Sequence, residues 1–308
     1  YTRSINLPRD SENIELVRAY LPTSRAIQAL TQIARGLGRA AGNRALAMIG
    51  PYGSGKSAFG LFLAALLGPK SSAAHQAAMA TLQATEASLA ERFQQALADQ
   101  CGFLRVPING IPDSLVRQVM LALAMAAEQN GFTKAEVSEL RAAAQPGTPM
   151  DHVLGLIRKV QAIWSTQGGT GLLIEIDELG KFLEYESYHP QHREIHLLQL
   201  LAEHAQEAHA APLHLVVLLH QSFEYYIHRL GKHLSDEWQK VQGRFEAIAF
   251  LEPAEQSLRI VAAAFEPTDL RTPEVDAQLD GWIARLAAEG ALPLGLDERS
   301  ARQQLGRC

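Results

Sequence analysis

An α/β fold, with a parallel sheet covered by helices on both faces, is predicted by one alternation of patterns, one turn and the chain length. Short apolar runs bounded by turn residues, at 44–49, 103–108, 171–176 and 213–219, alternate with longer stretches whose apolar residues recur at helical spacing. Parallel strands need crossover connections and are buried on both faces, which accounts for runs that are mainly apolar instead of alternating. The turn, Gly50 to Ser57, is glycine-rich and lies between a strand and a helix. At 308 residues the chain is about twice a typical domain, enough for one large core and an appendage.

The elements follow in order. Ile14, Leu16 and Val17 predict a short helix over 10–20, ended by Pro22. Thr23 or Ser24 caps a second helix that carries Ile27, Leu30, Ile33, Ala34 and Leu37 to a stop at Gly36 and Gly38. The strand at 44–49 precedes the glycine-rich turn, and an apolar helix runs from Ala58 to Leu67. The alanine-rich stretch 71–100 reads as one or two helices with little bulky core, placed on the surface. After the strand at 103–108 come helices at 113–129, 134–144 and 151–166, the last capped by Thr148 or Asp151. The strand at 171–176 is followed by a helix at 192–209 and the strand at 213–219. The remainder is mainly helical, with a short strand at 247–251.

Composition narrows the class. Apolar residues make up 47% and charged residues 20%, which excludes a wholly disordered chain and a fibrous repeat. The net charge of −5 argues against a domain devoted to coating a phosphate backbone. Cys101 and Cys308 stand far apart, so a disulfide framework is not expected and a reducing, cytoplasmic setting is. The apolar run at 115–127 is too short to span a bilayer and contains Arg117 and Gln118, so no membrane role is expected. The chain opens on Tyr1 and closes in a polar helical pattern, which reads as a piece of a longer polypeptide.

Gly50-Pro-Tyr-Gly53-Ser54-Gly55-Lys56-Ser57 satisfies the Walker A pattern in the strand–turn–helix context that the pattern requires. Gly53 and Gly55 let the backbone curl so that successive N–H groups face one phosphate, and the next helix adds its positive end. The cofactor-binding set is therefore Gly50, Gly53, Ser54, Gly55, Lys56, Ser57 and Ala58. Lys56 reaches the β and γ phosphates of ATP, and Ser57 offers its hydroxyl to Mg²⁺. The strand Leu172-Leu-Ile-Glu175-Ile-Asp177 ends in a Walker B-like acid, so Asp177 is the second metal residue and Glu178 suits the general base. Glu175 shares a face with Asp177 one layer deeper, and is expected to be paired or protonated, with a structural role. His220 or Gln221, at the tip of the next strand, is placed to touch the γ phosphate or the attacking water. Arg244, in Gly243-Arg-Phe-Glu246, reads either as a finger for a neighbouring subunit's γ phosphate or as a solvated arginine.

This order of motifs, with Pro253 after the arginine, resembles the AAA+ ATPases, nearest to their origin-recognition and signal-transducing branches, over 20–265. The resemblance implies a P-loop NTPase sandwich with a helical lid after Pro253, ATP-driven assembly into a homo-oligomer, and Arg244 as a finger acting in trans. It divides the chain into a helical lead-in at 1–43, an ATPase core at 44–252 with a helical insertion near 71–100, and a lid at 253–308. Two departures stand out: the long alanine-rich segment between the Walker motifs, and a lid whose nearest second sensor arginine is Arg285. Arg3-Ser-Ile-Asn-Leu before the core and His220-Gln-Ser-Phe after the fourth strand look like the ATPase modules of large bacterial phage-defence proteins, with DNA or another protein as partner.

Other classes fit less well. A GTPase would need a guanine-reading loop, and Thr133-Lys-Ala-Glu136 is wrongly placed for one. An ABC-type ATPase would carry its signature well upstream of the acidic strand, whereas Gln167-Gly-Gly169 abuts it. His189, His192 and His196 near Glu194 lack zincin spacing and read as surface histidines. A scaffold with a degenerate pocket conflicts with Lys56, Ser57, Asp177 and Glu178 all being present. The remaining rival is a switch that holds ATP and hydrolyses it seldom, which Glu178 argues against.

Overall fold

The computed structural model describes residues 5–38, 42–97, 101–189, 194–222, 239–251, 273–290 and 297–305. The chain divides into two compact units, Tyr1–Glu252 and Pro253–Cys308.

The first unit is built on five parallel strands: β1 (Ala45–Ile49), β2 (Phe103–Asn109), β3 (Gly171–Asp177), β4 (Leu213–Leu219) and β5 (Glu246–Ala249). Their spatial order is β2-β3-β4-β1-β5, so the strand bearing Asp177 is separated from the strand before the glycine-rich turn by β4. Ile49 pairs with Leu219, and Ile176 with Val217, so the tips of β1, β3 and β4 come out at one end. Ligands of open parallel sheets gather at this carboxyl end, beside the crossing between β1 and its neighbours.

Period-two alternation sends the strand residues into two cores. Ala45, Ala47, Val106, Ile174, Ile176, Leu215 and Val217 face helices α7 (Leu115–Gln129), α8 (Lys134–Ala142), α9 (Met150–Thr166) and α11 (Ile195–Gln206). Leu46, Met48, Leu173, Val216, Leu218 and Ile248 face the other way, onto α3 (Ser24–Arg35), α4 (Lys56–Leu66), α5 (Ala73–Thr85) and α6 (Ala87–Ala96). Glu175, Asp177 and His220 fall on this second side by the same alternation, which puts them toward α4.

Several expectations change. The helix expected over 10–20 is two short ones, α1 (Leu7–Asp10) and α2 (Ile14–Arg18), because the Asn13 side chain caps the second. The alanine-rich helices do not lie on the surface: Ala78, Leu82, Leu89, Ala90 and Phe93 are fully buried with Phe59 and Phe62 of α4. Small alanines let helices approach closely, so a stretch with few bulky residues still forms core. Neither Thr148 nor Asp151 caps α9; Pro149 holds the N-cap position, and the Thr148 hydroxyl donates to Ala143 O and Gln145 O. The helix expected over 192–209 ends at Gln206, where Glu207 turns extended, and its residues 192 and 193 lie outside the described ones. A further helix, α10 (Gly180–Tyr188), follows directly on the acidic strand tip.

In the second unit, α12 (Pro273–Ala288) and α13 (Glu298–Leu305) bury Ile283 and Ala301, and Arg285 is exposed on α12. No described helix is long and apolar enough to cross a membrane.

Candidate nucleotide and metal site

The turn after β1 is shaped by three glycines. Gly53 and Gly55 adopt φ of 78° and 89°, the left-handed region that side chains rarely enter. Gly50 has no room for a Cβ, which would overlap the carbonyl oxygen of Phe250. Phe250 N donates to Ile49 O at 2.6 Å, and its ring packs against Phe59 of α4, so β5 presses directly on the start of the turn. The result is a tight curl ending at Gly55, from which α4 begins with Lys56.

Lys56 is 4% exposed, and its ammonium sits inside the curl, donating to Gly50 O at 2.6 Å, Pro51 O at 2.8 Å and Ser54 Oγ at 3.2 Å. All three acceptors are neutral oxygens. Burial lowers the Lys56 pKa, opposed by the Asp177 carboxylate. A buried ammonium held by neutral oxygens at a helix N-terminus fits an anion such as phosphate. The residues present therefore suit the phosphates of a nucleotide.

One residue on, the Ser57 hydroxyl donates to Asp177 Oδ2 at 2.6 Å. The other Asp177 oxygen accepts from Glu178 N at 2.8 Å, so both are anchored. Burial raises the Asp177 pKa even so, against the lowering effect of Ser57. A hydroxyl and an under-compensated carboxylate are the hard oxygen donors that suit Mg²⁺. Lys56, Ser57 and Asp177, drawn from two strand tips, are thus brought together as their sequence patterns suggest.

Glu178 has φ of 50°, the one described non-glycine residue in the left-handed region. Gly110 makes room for it: its N–H donates to Asp177 O at 2.8 Å, and a Cβ there would overlap the Glu178 carbonyl oxygen. The strained turn aims the Glu178 carboxylate at the Lys181 ammonium of α10, with which it pairs, and brings it to 3.7 Å from the His220 Nε2 ring nitrogen. His220 in turn stacks on Tyr52 of the turn, ring centroids 3.5 Å apart. Its pKa is lowered first by burial and then by Lys56. Between the two strand-tip candidates the structure puts His220 against the site, whereas Gln221 is exposed.

Lys181 and Tyr52 were not anticipated. The spacing of three between Glu178 and Lys181 on a helix start was the available signal for the first. An exposed aromatic inside the glycine-rich turn was the signal for the second.

Glu175 is fully buried and neither of its oxygens has a hydrogen-bond partner among the described residues. Desolvation raises its pKa well above the usual value, so of the two expectations the protonated form is favoured and the structural partner is missing. Gly60 of α4 lies over it, where a Cβ would come to 3.5 Å from Glu175 Oε1. Arg244 is elsewhere: two residues before β5, its Nε donates to Glu203 Oε1 of α11 at 2.9 Å. No protein-family model and no curated protein matches this chain.

Proposed function

We propose that this chain binds Mg²⁺-ATP and hydrolyses it as a P-loop ATPase of AAA+ type, driving a conformational change or oligomer assembly. The observation that carries the reading is the junction of Ser57 Oγ with Asp177 Oδ2 beside the enclosed Lys56 ammonium. That junction ties a Walker A serine to an acid on a strand that is not the neighbour of β1. The strand order and the helices on both sheet faces are compatible with this class.

The roles follow from placement. Amides of 53–57 and the Lys56 ammonium take the phosphates, with Lys56 exchanging loop carbonyls for phosphate oxygens. Mg²⁺, when bound, supplies charge that offsets the phosphates. Glu178 accepts the proton of the attacking water, for which its carboxylate must turn from Lys181. His220, backed by Tyr52, orients the water or the γ phosphate, and Arg244 completes a neighbouring subunit's site. The setting is a cytoplasmic module of a larger bacterial system, with DNA or protein partners supplied by other domains and antiviral defence as its context.

The second reading, a slow switch, is favoured by one feature: in this structure Glu178 is held by Lys181 and by its own strained turn. Single-turnover rates with and without DNA separate the two. For the shared part of the reading, Lys56→Ala should abolish ATP binding in a calorimetric titration. Binding as tight as the parent's would overturn the phosphate-cradle assignment.

A further inference from the structure

At the opposite end of the sheet, α11 ends in His204-Ala-Gln-Glu207-Ala-His209, and the three titratable side chains converge. Their ligand atoms, one each, lie within 4.8 Å of one another. His204 Nδ1 is 3.4 Å from Glu207 Oε2, and His209 Nε2 is 3.2 Å from the same oxygen. A tetrahedral ion with bonds of ~2.0–2.1 Å has ligand–ligand edges of about 3.3–3.4 Å, so both separations match the edges of such a site.

The chemistry of the nitrogen is fixed from behind. Gln161 of α9 donates its Nε2 to Ala211 O at 2.6 Å, which turns its Oε1 toward His204 Nε2 at 2.6 Å. Facing an acceptor, His204 Nε2 carries the proton and Nδ1 carries the lone pair. Among the described residues that Nδ1, buried on a side chain 1% exposed, makes no hydrogen bond, and neither does the buried His209 Nε2; each has only its ion-pair distance to Glu207. A ring nitrogen held bare by a hydrogen bond on the far side of the imidazole is the arrangement found behind metal-bound histidines.

We propose that His204 Nδ1, Glu207 and His209 Nε2 form a site for a zinc-class divalent cation, with a fourth position open to water. Two imidazoles and one carboxylate select a borderline transition ion over Mg²⁺ or Ca²⁺. The site clips the end of α11 to the segment leading into β4, at the sheet end away from the phosphate loop. Arg158, 3.8 Å from Glu207 and half exposed, competes for the carboxylate and must turn outward.

Metal-stripped full chain, kept in excess Mg²⁺ to fill the hard-oxygen site, is titrated with Co²⁺ as a spectroscopic probe and then with Zn²⁺. The expected result is one equivalent of Co²⁺ giving strong tetrahedral ligand-field absorption that Zn²⁺ abolishes. His209→Ala and Glu207→Gln, both at partly exposed positions, should each weaken binding by at least 10–100-fold, the loss already seen when only an outer-shell partner is removed. Zn²⁺ should raise the unfolding temperature of the parent and leave that of His209→Ala unmoved. Absence of a saturable band in the parent would overturn the site. Equal affinity in properly folded variants would do the same.

Discussion

Among the described residues a cation is buried at each end of the sheet, Arg44 and Lys56, and the two are held differently. At the amino end Arg44, 1% exposed, donates Nε to Gly36 O at 2.6 Å, Nη2 to Gly38 O at 2.8 Å, and Nη1 to Ala205 O at 2.9 Å and Glu207 O at 3.1 Å. These carbonyls belong to the ends of α3 and α11, where the helix dipole favours positive charge and the backbone is fixed by the helices themselves. At the carboxyl end Lys56 is held by carbonyls of a loop whose curvature depends on two left-handed glycines. Burial lowers the pKa of both cations. Arg44 locks two helices onto β1, while Lys56, on the proposed function, occupies a place that phosphate oxygens take over. The difference separates stability from chemistry along a single strand, β1.

Arg244 tests that separation most severely, because it lies before β5 and against Glu203 and Gln206 at the end of α11, toward the amino end of the sheet. On the proposed function, that position assigns it to a neighbouring chain's site and not to the turn at 50–57 of its own. Arg244→Ala should bind ATP normally and lose about 10³–10⁵ in turnover, the worth of an arginine finger. A mixture with Lys56→Ala should recover part of the activity. No recovery, in a mixture shown by sedimentation to co-assemble, would reduce Arg244 to the partner of Glu203. Glu178→Gln acts at the carboxyl end alone: ATP affinity and urea midpoint stay near the parent's, and single-turnover hydrolysis falls by about 10²–10⁴. An unchanged rate would move the base elsewhere.

The carboxyl end was the more legible of the two in the sequence. Walker patterns are local, and the chain order of Lys56, Ser57 and Asp177 matches their convergence because parallel strands deliver their tips to one side. The positions of β1, β3 and β4 were equally readable, since strands buried on both faces leave mainly apolar runs. The amino end was opaque. Arg44 reads as a charged residue ahead of a strand, and only the folded chain shows that four helix-end carbonyls converge on it. The histidines show a related limit: His189, His192 and His196 read as surface histidines, and His196 is exposed, whereas the environment of His204 depends on Gln161, 43 residues earlier, whose Oε1 faces His204 Nε2. The alanine helices failed because composition reports side-chain size and not how closely helices approach.

Arg44→Met should destabilise the fold by about 3 kcal/mol or more, because each buried carbonyl left without its donor costs about 1–3 kcal/mol. Urea unfolding measures this, and ATP affinity of the folded fraction should be unchanged. Lys56→Met should do the reverse, removing binding while the urea midpoint holds or rises, since a buried ammonium is exchanged for an apolar chain of similar length. Two variants with the same stability loss would erase the contrast between the cations.

Glu175 offers the finest probe, because it marks the depth at which the ligand-facing end becomes closed core. Two residues nearer the tip, Asp177 has Ser57 and the Glu178 amide as partners; among the described residues Glu175 has neither oxygen bonded. Its folded-state pKa is raised well above the ordinary 4.5, first by burial, against the pull of Arg105. The unfolded chain therefore releases this proton at lower pH than the folded chain does. The stability it contributes is fully present below the unfolded value and is lost as pH rises through the folded one, by about 1.4 kcal/mol per pH unit within the window. Glu175→Gln keeps the shape and removes the titration. Parent and variant should unfold at similar urea concentrations at pH 4 and diverge upward from there, with the glutamine form the more stable. Parallel curves across that range would mean that the carboxylate is already charged in the folded chain, and that the positive field of the Lys56 end of the sheet reaches one layer deeper than Asp177.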